Sequence, residues 1–404
     1  MEIRNPAIQP EMLISRAAAP PAGVSVPVSA PPPAEPRETV SLSSNTASPL
    51  LTAGPSASEN EKLREVIHRM PKADLHRHLE GSLTPEAIIR VAQKYNVPLP
   101  TYDPKQLAPY VQVTDQDKTL LDFIKKFDTI GQVFTNEDAI REITYQVVSD
   151  ASKDNVKYLE LRFSPMYMAQ KYDLNLNRVI DSVCRGLEEA KKDCDTDVNM
   201  ILIMERQMGP SKAAQVESLA EEYKDKGVVG LDLANDEANF PPGPYAHIFQ
   251  KAKAAGLSVT IHAGEAAGAE SVKTAIEDCH ADRIGHGVRM EEDPAVEQEV
   301  IDWHIPVEIC PTSNVQTGAV ASIAASPLKR FMDKGIPVVI NTDDPGVSNT
   351  TLTDEYLKVA NQFGISVAQL QHIVLNGVDA AFISTDKKKV LHDKFQAAFN
   401  EINK

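Results

Sequence analysis

The chain has 404 residues and a formal net charge of −16, from 57 acidic against 41 basic residues. That length fits one large α/β barrel with additions, and the acidic balance argues against nucleic acid and anionic membranes as partners. No run approaches the ~18 consecutive apolar residues of a membrane span; no secretory apolar core follows the first residues, and four cysteines without a C-x-x-C pair fit a reducing cytoplasm.

Residues 1–60 carry 11 of the 28 prolines, 10 alanines and no aromatic side chain. Such a stretch cannot bury enough apolar surface to offset chain entropy, so a disordered extension is expected there. From residue 61 the pattern becomes regular, and 61–404 is read as one domain. Apolar, β-branched runs predict strands over 73–76, 158–163, 200–205, 228–233, 258–262, 283–286, 307–310 and 338–341. Helical periodicity fills the intervals, for example over 85–95, 137–153, 176–192, 211–226, 245–255 and 295–303, and again beyond Asp354. Glycines at 227, 256 and 335 sit where helix C-caps are expected. Eight alternating units in this order predict a (β/α)₈ TIM barrel, α/β in class. The rival, a doubly wound sheet, would show a glycine-rich phosphate turn after its first strand, and none is present.

Polar residues gather at four of the predicted strand ends. His76 and His78 stand two apart in Asp74-Leu75-His76-Arg77-His78, so an extended chain turns both to one side. His262 ends an apolar strand and is followed, across a glycine, by Glu265. His286 lies between Gly285 and Gly287. Asp343 and Asp344 stand just beyond the apolar run of the last predicted strand, and burying them needs a compensating positive charge. Each has a plain structural reading: a polar strand edge, a core histidine, a solvated loop acid, a glycine bulge. Together they bring histidines and a carboxylate to one end of one barrel, as a mononuclear zinc site with an open position requires. Nitrogen donors suit Zn²⁺ better than Mg²⁺ or Ca²⁺, which prefer oxygen shells.

The ordered segments LHRHLEGSL, HAGE, RIGHGV, CPTSNVQTGA and NTDDP, between Leu75 and Pro345, resemble the adenosine deaminase family of the amidohydrolase superfamily. The resemblance runs from about Pro71 to the C-terminus. It implies one Zn²⁺ per chain held by His76, His78, His262 and Asp343. It implies Glu265 as proton donor to purine N1, with His286 and Asp344 flanking the reacting water, and Asp344 also bonding the purine ring. The substrate-binding set is then His78, Glu80, Asn235 and Asp344. The implied reaction converts adenosine or 2'-deoxyadenosine to inosine or 2'-deoxyinosine and ammonia, a step of purine salvage. Chemically, zinc lowers the pKa of a bound water from about 15.7 to about 7, and a buried glutamate kept protonated makes the ring a better electrophile.

Two positions depart from the family's adenosine pattern. Glu80 stands where aspartate is usual and is more typical of relatives that act on free adenine. Asn235 stands where glycine commonly offers a backbone N–H, although asparagine tolerates left-handed backbone better than most residues. Gly285 and the segment 346–352 resemble the nucleoside branch. The expected partner is a small-molecule purine nucleoside, with free adenine or another 6-aminopurine as the alternative. A non-catalytic purine-binding module would have lost a ligand or the acid, and all seven metal and catalytic residues are present. A two-metal hydrolase would want a bridging lysine at a middle strand end, where none stands.

Overall fold

The computed structural model describes residues 57–404. Eight strands appear where the apolar runs predict them: β1 (Lys72–His78), β2 (Val156–Phe163), β3 (Asp197–Glu205), β4 (Val228–Ala234), β5 (Ser258–Ala263), β6 (Arg283–His286), β7 (Val307–Ile309) and β8 (Val338–Ile340). They pair in chain order, all parallel, from Lys72 opposite Val156 round to Ile309 opposite Ile340. The seam between β8 and β1 is closed by the polar segments themselves. Asp343 N–H donates to the His76 carbonyl at 2.7 Å, and His78 N–H donates to the Asp343 carbonyl at 2.8 Å. The Asn341 side-chain oxygen accepts from Leu75 N–H at 2.8 Å. The molecule is a (β/α)₈ TIM barrel, with helices packed outside.

The helices form for local reasons visible in the sequence. In Glu137–Lys153, Asn136 caps the first turn, and Ile140, Ile143, Val147 and Ala151 recur at three- to four-residue spacing on the buried face. The C-terminal helices Leu352–Phe363 and Val367–Ala380 each open with a capping box, Thr351 with Asp354 and Ser366 with Gln369. Among the described residues no helix is long and apolar enough to cross a membrane.

Two differences from the sequence reading matter. The extension expected over 1–60 lies outside the described residues except at its end, where residues 57–60 open the helix Ala57–Arg69. Between β1 and β2, the helix Pro85–Tyr95 is joined by three that the periodicity did not single out: Pro104–Val111, Leu120–Ile124 and Phe127–Ile130. The last two have only 5 and 4 residues, too few to display a helical period. They bend over the C-terminal mouth of the barrel.

Candidate active site

Strand alternation turns His76 and His78 to one side, and their ring centroids lie 5.3 Å apart. His262, from β5, brings its Nε2 to 3.1 Å from His76 Nε2. Asp343 enters across the closing seam, its Oδ1 3.3 Å from His76 Nε2 and 3.1 Å from His78 Nε2. One donor atom from each of these four residues lies within 4.8 Å of the others. The four predicted ligands therefore converge.

The tautomers are fixed from behind. His76 Nδ1 meets Glu308 Oε2 at 2.7 Å, and His262 Nδ1 meets Asp232 Oδ1 at 3.0 Å. A carboxylate only accepts, so each Nδ1 carries the proton and each Nε2 is left as a bare lone pair. Two lone pairs facing each other at 3.1 Å, beside a carboxylate, call for a cation between them. Three imidazole nitrogens and one carboxylate oxygen are the donor set of a catalytic zinc site. Burial also favours neutral rings, drawing His78 down to about 4 and lowering His262. At His76 burial is outweighed by Asp343 and Glu308, which raise it to about 8, so its Nε2 faces a position that attracts positive charge.

Beneath this cluster the lumen holds a layer of buried charge. Arg162 donates to Asp232 at 2.8 Å and to Glu308 at 2.9 Å; Arg283 donates to Glu308 at 2.5 Å and to Glu160 at 2.6 Å. All five side chains are fully buried. Burial opposes charge on Glu308, but Arg162 and Arg283 outweigh it and hold its carboxyl well below the usual range. None of the five was singled out from sequence. Their signal was charged residues in otherwise apolar strands, with Glu160 and Arg162 two apart on one face of β2.

Around the cluster stand the expected catalytic residues. Glu265 is buried, and that burial, with the nearby Asp343 charge, raises its carboxyl to about 8. His286 Nε2 lies 3.6 Å from Glu265 Oε2, has no hydrogen-bond partner, and its Nδ1 is held 2.8 Å from the Asn314 amide. Burial lowers its imidazole well below the ordinary value. Asp344 is raised by burial and by Asp343, and its Oδ1 is unpartnered. Gly81 must be glycine for this placement, since a Cβ there would stand 1.7 Å from Asp344 Oδ1. His286, Asp343 and Asn235 all take left-handed backbone, with φ of 63°, 61° and 79°. Such strain persists where the surroundings over-determine it, often at functional sites.

Glu237 was also missed, and it shapes the turn that carries Glu265. Its carboxylate accepts four backbone N–H groups, from Gly264 at 2.7 Å, Glu265 at 3.0 Å, Ala266 at 2.6 Å and Ala267 at 2.9 Å. The sequence signal was an acid placed shortly after β4, with nothing to say which turn it would meet.

The cluster opens into a cavity of about 260 Å³. His78, His262, Glu265, His286 and Asp343 line its floor, with Glu80, Asp344 and Asn235 toward the rim. Leu120, Phe123, Ile124 and Phe127, from the two short helices, supply an apolar side. Tyr167 braces them, its hydroxyl donating to the Phe127 carbonyl at 2.5 Å.

The family model for adenosine deaminase matches residues 71–398. An adenosine deaminase of Serratia proteamaculans (strain 568) is 40% identical over 326 residues, covering 81% of this chain and 98% of that protein. The chain belongs to the adenosine deaminase family. Membership makes it a metal-dependent hydrolytic deaminase of adenosine-type substrates. Solved structures agree in fold. The adenine deaminase of Arthrobacter aurescens superposes with a TM-score of 0.77 at 26% identity, over 82% of this chain and 99% of that one. The N6-methyl-AMP deaminase of Arabidopsis thaliana gives 0.74 at 27%, over 84% and 99%. Its relatives thus differ in whether the purine carries nothing, a sugar or a sugar phosphate.

Proposed function

We propose that this chain is a zinc enzyme that hydrolyses the 6-amino group of adenosine or 2'-deoxyadenosine, releasing ammonia and leaving the 6-oxopurine nucleoside. The observation that carries the reading is the pair of Nε2 atoms, on His76 and His78's neighbour His262, facing each other at 3.1 Å beside Asp343. His76, His78, His262 and Asp343 would hold one Zn²⁺. When bound, the ion supplies a water acidified to a pKa of about 7.

The protein's own groups do the rest. Glu265, raised to about 8, is protonated at neutral pH and donates to purine N1, which lets the ring accept the incoming electron pair at C6. His286, held by Asn314 and without a partner at Nε2, orients the nucleophile and takes up its proton. Asp344 presents its unpartnered Oδ1 to the purine ring and assists at the same face. Asn235 offers a backbone N–H from its left-handed turn. The apolar side made by Phe123 and Phe127 excludes water from the reacting edge. Four free cysteines fit a cytoplasmic location.

The nucleoside is favoured by the 40% identity to a protein named for adenosine, against 26% to the adenine deaminase. Gly285 adds support, since it stands where the adenine branch usually has aspartate; a Cβ there would lie 3.0 Å from His76 Cε1, a tight fit beside the imidazole. Glu80 favours the second reading, free adenine, because its longer side chain occupies the cavity wall. Metal analysis of purified protein, with absorbance assays on adenosine, 2'-deoxyadenosine and adenine, tests both. About one zinc per chain and turnover of the nucleosides are expected. Turnover of adenine alone would overturn the nucleoside assignment.

A further inference from the structure

The mouth of the barrel has two chemically distinct arcs. Glu265, His286, Asp343 and Asp344 come from the ends of β5, β6 and β8. Facing them, the ends of β1, β2 and β3 contribute Glu80, Ser164 and Glu205 to the same cavity, with Gln207 just beyond. Glu205 is buried; its Oε1 accepts from the Ser164 hydroxyl at 2.5 Å and its Oε2 from the Gln207 amide at 2.9 Å. Ser164 N–H in turn donates to Glu80 Oε1 at 2.7 Å. Ser164 thus ties the two carboxyl groups into one unit.

That unit is incomplete. Glu80 is 3% exposed and lines the cavity, yet its Oε2 has no hydrogen-bond partner. A buried acceptor left unpaired costs free energy that a ligand donor would recover. The cavity also lacks a cationic side chain. Among the described residues lining it none is Lys or Arg, and what this arc offers a ligand is the oxygens of Glu80 and Glu205. A phosphate dianion placed there would meet acceptor oxygens and find no cation to pair with.

We propose that Glu205, acting with Glu80, is the specificity-determining residue for the substituent on purine N9: it accepts the hydroxyl donors of an uncharged sugar and excludes a 5'-phosphate. The inference rests on the purine-nucleoside reading above and deepens it. A base whose reacting edge faces β5–β8 directs its opposite, sugar-bearing edge toward β1–β3. Glu205 then supplies attraction to hydroxyls and repulsion of phosphate together, the two elements a specific site combines.

The test compares wild type with E205Q, an isosteric change that keeps the Ser164 hydroxyl partnered. Wild type should turn over adenosine and use adenosine 5'-monophosphate at least about a hundredfold less well. In E205Q the KM for adenosine should rise about tenfold with kcat nearly unchanged, the preference over the monophosphate should shrink about tenfold, and adenine should respond little. Calorimetry with inosine, inosine 5'-monophosphate and hypoxanthine reads the same discrimination without turnover. If wild type binds inosine in a Glu205-dependent way but deaminates no 6-aminopurine, the function proposed above fails and this inference stands. Equal effects of E205Q on nucleoside and free base, or wild-type use of the monophosphate as readily as adenosine, would overturn it. The wild-type comparison of nucleoside with monophosphate keeps the question decidable should E205Q fold poorly.

Discussion

The floor and the rim of the cavity are built on opposite terms. On the floor, His76 and His262 have their second nitrogens tied to Glu308 and Asp232, and those carboxylates are tied to Arg162 and Arg283. On the rim, Glu80 and Asp344 each keep an oxygen with no partner. A satisfied network fixes geometry, since each member is oriented by the next. An unsatisfied buried acceptor is costly, and is retained where a ligand completes it. On the function proposed above, the contrast separates groups that would hold a reaction centre from groups that would meet a substrate.

The contrast can be broken at several points, beginning with the largest effect. Asp343→Ala removes a floor donor and should leave little bound metal and turnover down more than about a thousandfold; metal analysis by plasma emission checks this, and a fully loaded variant would remove Asp343 from the donor set. Glu265→Gln should keep its metal while turnover falls about a hundredfold to ten-thousandfold. A near-normal rate would deny Glu265 the role of acid. Asp232→Asn leaves the four donors in place and loosens only what orients His262, so metal affinity should weaken about ten- to a hundredfold, measured by competition with a chelator. Unchanged affinity would mean that the ionic layer serves the barrel and not the donors.

The last test is a pH profile. In the mechanism proposed above Glu265 donates a proton, so the competent form is the acid, and burial raises its carboxyl to about 8. Activity should persist at neutral pH and fall as pH rises through about 8, about tenfold for each further unit. In Glu265→Gln that alkaline limb should disappear. A limb that survives the substitution would belong to another group.

The apolar strand runs located all eight strands within a few residues, because burial on both faces of a parallel barrel writes itself as continuous apolar sequence. The strand-end polar clusters located nearly the whole floor, since catalytic groups of this fold sit at those ends. The ionic layer was less legible. Arg162, Arg283 and Glu308 belong to three separate strands, and only closure of the barrel makes them neighbours. The helices Leu120–Ile124 and Phe127–Ile130 escaped because a single helical turn has no period to detect. Glu205 carried no signal of its own; its meaning comes from sharing Ser164 with Glu80, a residue of another strand end.

The order of strands, the end of the barrel that bears the chemistry and the identity of its histidines and aspartates were determined by the amino-acid sequence, because period and residue type are local properties. Which lone pairs face one another, which carboxylate orients which imidazole, and which acid is left unpaired above them were decided by the tertiary structure. Those are relations between residues of different strands, from 30 positions apart for Asp232 and His262 to 232 for His76 and Glu308, and they exist only once the strands have closed into a barrel.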